Sequence, residues 1–159
     1  MKIWTSYYGM LSRIKKEHPD YFLVATSGMI PKEIEAAVDS WNQSLAPSKS
    51  IFLENKENPD WEQYVKRFKS ERLPKIDWLE KLELWEEKAN KSGKTIDNIV
   101  LLCYETADSG DGKGEFCHRH ILSETIEKEF NTTVEEIGYE NYDRINYRMV
   151  PKFNTDFLF

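Results

Sequence analysis

Residues 95–104 read TIDNIVLLCY, and the Ile99-Val100-Leu101-Leu102 run at their centre is the strongest strand signal in the chain. An apolar run without polar alternation belongs to a strand covered on both faces, as a central strand of a parallel sheet is. Cys103, Tyr104 and Glu105 follow directly, so reactive groups sit at the carboxyl end of the predicted middle strand.

Toward the N-terminus, Trp78, Leu82, Trp85 and Ala89 repeat at helical spacing and stop near Ser92 and Gly93. Pro74 separates this helix from an earlier one carrying Trp61, Val65 and Phe68, for which Asn58, Pro59 and Asp60 supply a capping residue, a first-turn proline and an acid. The two form a helix pair. Residues 50–54 (SIFLE) predict a short strand, and Ile34, Val38, Trp41 and Leu45 predict one long helix face after Pro31, closed by Pro47. Residues 21–26 (YFLVAT) predict a second strand buried on both faces, ended by Ser27 and Gly28. The chain opens with a strand over residues 2–5, a turn through Ser6, Tyr7, Tyr8 and Gly9, and a helix begun by Met10, Leu11 and Ile14.

Toward the C-terminus, residues 106–115 are polar and hold Gly110, Gly112 and Gly114, and a helix starting near Phe116 carries Leu122, Ile126 and Phe130 before Asn131–Thr133 stop it. Residues 134–139 predict a last strand. Strands alternating with helices define an α/β domain: one compact three-layer unit over residues 1–138, with a mostly parallel sheet and helices on both faces. The aromatic tail 139–159, with Tyr139, Tyr142, Tyr147, Phe153, Phe157 and Phe159, is expected to pack on it.

The 159 residues suit one domain. With 22 Lys plus Arg against 28 Asp plus Glu, the net charge of −6 argues against an extended nucleic-acid surface, which needs clustered cations. Aromatics at 13% are too plentiful for a disordered chain. Without a secretory pattern or an apolar stretch of about 20 residues, the expectation is a cytoplasmic protein with no membrane partner. In that setting the two cysteines, Cys103 and Cys117, are expected to be reduced thiols.

Ligands of open α/β sheets bind beyond the carboxyl ends of the strands. That rule gathers Ser6 and Tyr7 from the first strand, Ser27 from the second and Glu105 from the middle one. The segment Glu115-Phe116-Cys117-His118-Arg119-His120 returns at the start of the following helix, where backbone N–H groups favour anions and a thiolate. Catalytic roles fall to Glu105, Cys117 and His118, and ligand binding to Arg119, Ser6, Tyr7 and Ser27. Several residues of this cluster have plainer readings: Cys103 as a small buried hydrophobe, Glu105 in a surface ion pair, Cys117 as a packing residue, His120 as a solvated helix residue. An anion-cradling Cys loop closed by Arg is excluded, because Cys117 is only two residues from Arg119. A zinc site from Cys103, Cys117, His118 and His120 has suitable ligand types, but its spacing matches no common zinc arrangement, and no metal or other cofactor is assigned. The glycine loop matches no phosphate-binding motif.

LLCYE, FCHRHIL and the opening KIWTSYYG together resemble the domain-of-unknown-function 488 family in its phage and mobile-element forms, over residues 2–138. The resemblance implies a compact α/β domain with Glu105, Cys117, His118 and Arg119 at a shared site, and no settled reaction. The glycine-bearing stretch 108–114 is longer than that pattern expects. The function expected is an enzyme acting on a phosphorylated or nucleotide-like small molecule, with Arg119 holding the anion and Glu105 as base. The alternative is a non-catalytic module that binds or sequesters a nucleotide-type ligand or a protein partner.

Overall fold

A computed structural model describes residues 1–105, 117–141 and 149–151. Five strands form one parallel sheet in the order β3-β2-β4-β1-β5: β1 Lys2–Tyr7, β2 Phe22–Ala25, β3 Ser40–Trp41, β4 Asn98–Cys103 and β5 Glu135–Glu136. β4 is the central strand, paired in register with β1 from Lys2↔Asn98 to Tyr7↔Cys103 and with β2 from Phe22↔Ile99 to Ala25↔Leu102. Ile99 to Cys103 are wholly buried, which is why the run carries no polar alternation.

Helices cover both faces of the sheet. Odd-numbered β4 residues Ile99 and Leu101, with Phe22 and Val24 of β2, pack against α3 (Lys49–Glu57), α4 (Trp61–Glu71), α5 (Trp78–Lys91) and α6 (Arg119–Phe130) through Ile51, Phe68, Trp85 and Ile121. Even-numbered Val100 and Leu102, with Leu23 and Ala25, pack against α1 (Leu11–Glu17) through Leu11 and Ile14 and against the flank of α2 (Lys32–Ala37). The α/β three-layer architecture agrees with the reading from sequence. No described helix is long and apolar enough to cross a membrane.

Local departures have identifiable causes. The helix expected from Ile34 to Leu45 ends at Ala37, because Asp39 N–H donates to Leu23 O at 2.8 Å and Asn42 N–H to Ala25 O at 2.9 Å, drawing Ser40–Trp41 onto the sheet edge as β3. Lys94 Nζ fixes Asp39 at 2.9 Å, and the Asp39 carboxylate accepts from Leu23 N–H at 2.8 Å. Residues 50–54 are helical rather than a strand: Ser48 caps α3 by accepting from Ile51 N–H, and Ile51 alone of that helix is buried. Asp60, not Asn58, caps α4, and Asp77 caps α5. β1 runs on to Tyr7, so Ser6 and Tyr7 are strand rather than turn. Residues 134–139 divide between β5 and β6 (Tyr139–Asn141), which pairs antiparallel with β7 (Met149–Pro151). The glycine loop and Tyr142, Tyr147, Phe153, Phe157 and Phe159 lie outside the described residues.

Candidate functional site

A cleft of about 800 Å³ opens beyond the carboxyl ends of β2 and β4. Ser27, Tyr104, Glu105 and His118 contribute to its walls, all from positions that the strand-end rule selects. The remaining wall comes from the segment 43–56 and from α4 and its end, including Lys49, Phe52, Lys56, Tyr64 and Arg72. The sequence reading missed these residues. Their signal was the apolar pair Phe52-Leu53, which belongs to a helix that buries only Ile51 and leaves both side chains nearly half exposed. Met29, Phe52, Leu53 and Tyr104 are four of the six large hydrophobic residues exposed among those described, and all four line this cleft. Tyr104 donates its hydroxyl hydrogen to Met29 O at 2.6 Å and meets the Tyr8 ring edge-on at 4.8 Å, which holds the Met29–Tyr104 side of this rim in place.

His118 sits at the N-terminal cap of α6 with its ring turned under β2. Thr26 Oγ1 gives its hydrogen to Leu102 O at 2.9 Å, and His118 Nε2 lies 2.8 Å from Thr26 O, an arrangement in which Nε2 carries the proton and Nδ1 keeps its lone pair. Burial pushes the imidazole pKa down to about 4, with the positive charges of Arg119 and Arg72 adding to the effect against the Thr26 hydrogen bond. At neutral pH His118 is an uncharged acceptor or ligand.

Arg119 is wholly buried. Its Nε and Nη2 donate to Glu136 Oε1 and Oε2 at 3.1 and 3.0 Å, and its Nη1 donates to Glu105 O at 2.6 Å and to Cys103 Sγ at 3.0 Å. Thr5 Oγ1 adds a 2.6 Å hydrogen bond to Glu136 Oε1. The guanidinium thus ties β1, β4, β5 and α6 together beneath the cleft, and it is not among the lining groups. Glu136 went unnoticed in the sequence, since nothing local shows that β5 docks beside β1 and delivers a carboxylate to Arg119.

Cys103 and Cys117 are joined as a disulfide, which replaces the expectation of two free thiols. Adjacent strand-end and helix-start positions bring them together, with their Cα atoms 7.3 Å apart. Glu105 Oε2 lies 3.4 Å from Cys103 Sγ. Ser27 accepts or donates a 2.9 Å hydrogen bond with the Tyr8 hydroxyl, whose pKa burial pushes up to about 12. Ser6 and Tyr7 are buried and do not line the cleft, and the Ser6 hydroxyl has no hydrogen-bond partner among the described residues. His120 is buried rather than solvated.

This is a parallel α/β domain with a polar-floored, apolar-rimmed cleft at the carboxyl edge of its sheet. The chain belongs to the DUF488 family: residues 12–130 match the family model described as the active DUF488-N3 subclade. No curated protein and no solved structure matches it.

Proposed function

We propose that the chain is an enzyme that takes a phosphorylated, nucleotide-like small molecule into the cleft beyond β2 and β4. The observation that carries this reading is the composition of that one cavity: Lys49, Lys56 and Arg72 share its walls with Glu105 and His118, and Met29, Phe52, Leu53 and Tyr104 give it an apolar rim. Cations suit a phosphate, the rim suits the flat face of a base, and a carboxylate beside a neutral imidazole suits proton transfer. The anion-holding role moves from Arg119 to Lys49 and Lys56, because the Arg119 guanidinium is engaged with Glu136, Cys103 and Glu105. Arg72 has a positioning share, since its Nε donates to Ala46 O at 2.8 Å and holds the segment leading into α3. Glu105 is the base, and Arg119 positions it through the Glu105 carbonyl.

A non-catalytic module that sequesters the same class of ligand is favoured by one observation: Cys103 and Cys117 are bonded to each other and Arg119 lies beneath the cleft, so fewer reactive groups reach a ligand than the sequence suggested. Both readings predict binding. A thermal-shift screen with nucleoside mono-, di- and triphosphates and sugar phosphates should find a stabilising ligand, which at 100 times its dissociation constant adds about 2.7 kcal/mol. Lys49→Ala with Lys56→Ala should weaken that ligand at least tenfold. Mass spectrometry after long incubation separates the two readings, since an enzyme converts the ligand and a sequestering module returns it intact. If no phosphorylated compound binds, or the double variant binds as well as the wild type, both fail.

A further inference from the structure

The described residues hold one group of metal-ligating atoms, the sulfurs of Cys103 and Cys117 and a ring nitrogen of His118, all buried and all within 4.8 Å of one another. We propose that in the reduced chain these three residues bind one thiophilic divalent cation of the zinc type at the floor of the cleft, and that the disulfide is the metal-free, oxidised form of the same site. The spacing C-x13-C-H disguised the group in the sequence. Folding assembles it because β4 ends at Cys103 and α6 begins two residues after Cys117.

Three observations support the site. The first is distance. Zinc takes sulfur at about 2.3 Å and imidazole nitrogen at about 2.0–2.1 Å, so tetrahedral ligand atoms stand on the order of 3.5 Å apart. Once the sulfur–sulfur bond opens, Cα atoms 7.3 Å apart leave that room, and the three ligand atoms, within 4.8 Å of one another, have about 1 Å to close. The second is outer support. Ligating histidines donate their other ring N–H to a carbonyl or carboxylate, which fixes the tautomer and the ring plane. His118 does so through Nε2 to Thr26 O at 2.8 Å, leaving Nδ1 as the ligand. Arg119 Nη1 lies 3.0 Å from Cys103 Sγ and would support that sulfur as a thiolate. The third is charge. A divalent ion cancels two thiolates, and Arg119 cancels Glu136, so the wholly buried groups sum to zero and avoid the desolvation cost of an uncompensated charge, while the Glu105 carboxylate 3.4 Å from Cys103 Sγ lines the open cleft.

The chemistry balances with a thiol reductant. A dithiol passes two electrons and two protons to the Cys103–Cys117 bond and becomes a disulfide itself. The two new thiols then release their protons as the metal–sulfur bonds form. Three protein ligands leave a fourth position open, as catalytic zinc sites do; His118 is the member of the set that also lines the cleft, and the Glu105 carboxylate, 3.4 Å from Cys103 Sγ, lines it too.

Cobalt(II) provides the probe. Protein reduced with a dithiol, freed of excess reductant without air and titrated with cobalt(II) should bind one ion per chain. It should develop a thiolate-to-cobalt charge-transfer band with the visible absorption of a four-coordinate ion, and one equivalent of zinc should remove both. Oxidised wild-type protein is the control that needs no substitution, and it should show neither. Cys117→Ser should lose the stoichiometric binding, and His118→Ala should weaken it at least tenfold. Reduced, folded protein that binds no cobalt, that binds it without the thiolate band, or whose Cys117→Ser form binds as well as wild type would overturn the proposal. Phosphorylated ligands tested on the oxidised, metal-free protein report on the cleft separately, so the two readings fail independently.

Discussion

Replacing Glu136 by Gln is the sharpest test of how the site is held. Glu136 and Arg119 are both fully buried, and the carboxylate accepts from two guanidinium nitrogens and from the Thr5 hydroxyl. Glutamine nearly matches the shape, but it removes the charge and one acceptor, leaving a cation in a site without solvent. Breaking a buried pair in this way costs about 3–5 kcal/mol, whereas replacing both partners by apolar residues can be nearly neutral. Against a total stability of about 5–15 kcal/mol, that is a large fraction. Urea unfolding followed by the fluorescence of the five tryptophans should show a fall of about 3–4 kcal/mol for Glu136→Gln. The pair Arg119→Met with Glu136→Leu should lose less than the sum of its single changes, with a coupling of about 1–3 kcal/mol. Because Arg119 Nη1 also holds the Glu105 carbonyl, ligand affinity should fall in Glu136→Gln even where the protein is fully folded. A cost below about 1 kcal/mol, or strict additivity of the single changes, would refute the claim that this pair organises the floor of the cleft.

The Tyr8 phenol, raised by burial to about 12, is kept protonated by the fold, so its stabilising contribution is complete below pH 10 and is lost as pH rises through about 12. That contribution is about 3 kcal/mol, and Tyr8→Phe should show a flatter stability profile than wild type between pH 10 and 12; parallel profiles would dismiss the phenol as the cause. Asn42 Oδ1 accepts from Trp85 Nε1 at 2.8 Å and from Ser40 Oγ at 2.9 Å, so Asn42→Ala should cost about 1–3 kcal/mol in urea unfolding by leaving a buried indole N–H unpaired; a cost near zero would show that the indole finds another acceptor.

The central strand was legible because burial on both faces removes polar alternation, a signal that survives in the residues themselves. α5 was legible for a related reason: Trp78, Trp85 and Ala89 are all buried on one side of it. The segment from Ile34 to Leu45 misled, since its apolar residues satisfy a helical period while Asp39 and Asn42 pair with β2 instead. Periodicity is blind to such backbone bonds. In residues 50–54 the apolar triplet resembled a strand because Phe52 and Leu53 line the cleft rather than the core, so apolar residues outside the core were mistaken for folding signal. Strand and helix ends alone pointed to Ser27, Glu105 and His118, and all three line the cleft. Arg119 was found, but its partner was not, because Glu136 reaches it only through the pairing of β5 with β1.

That pairing explains how the floor of the cleft can be fixed independently of the segment between residues 105 and 117. Two links close its ends, the Cys103–Cys117 bond and the Arg119 hydrogen bond to Glu105 O, and the second is anchored through Glu136 to β1 and β5. Opening the first by reduction leaves the second in place, so Glu105 and His118 keep their positions while the two sulfurs gain freedom to separate. The metal-free oxidised chain and the reduced chain should therefore present nearly the same floor to a phosphorylated ligand. They would differ in the state of the Cys103–Cys117 pair beneath it, and a ligand that binds both forms equally while reacting in only one would locate the chemistry at Cys103, Cys117 and His118 rather than at Glu105 alone.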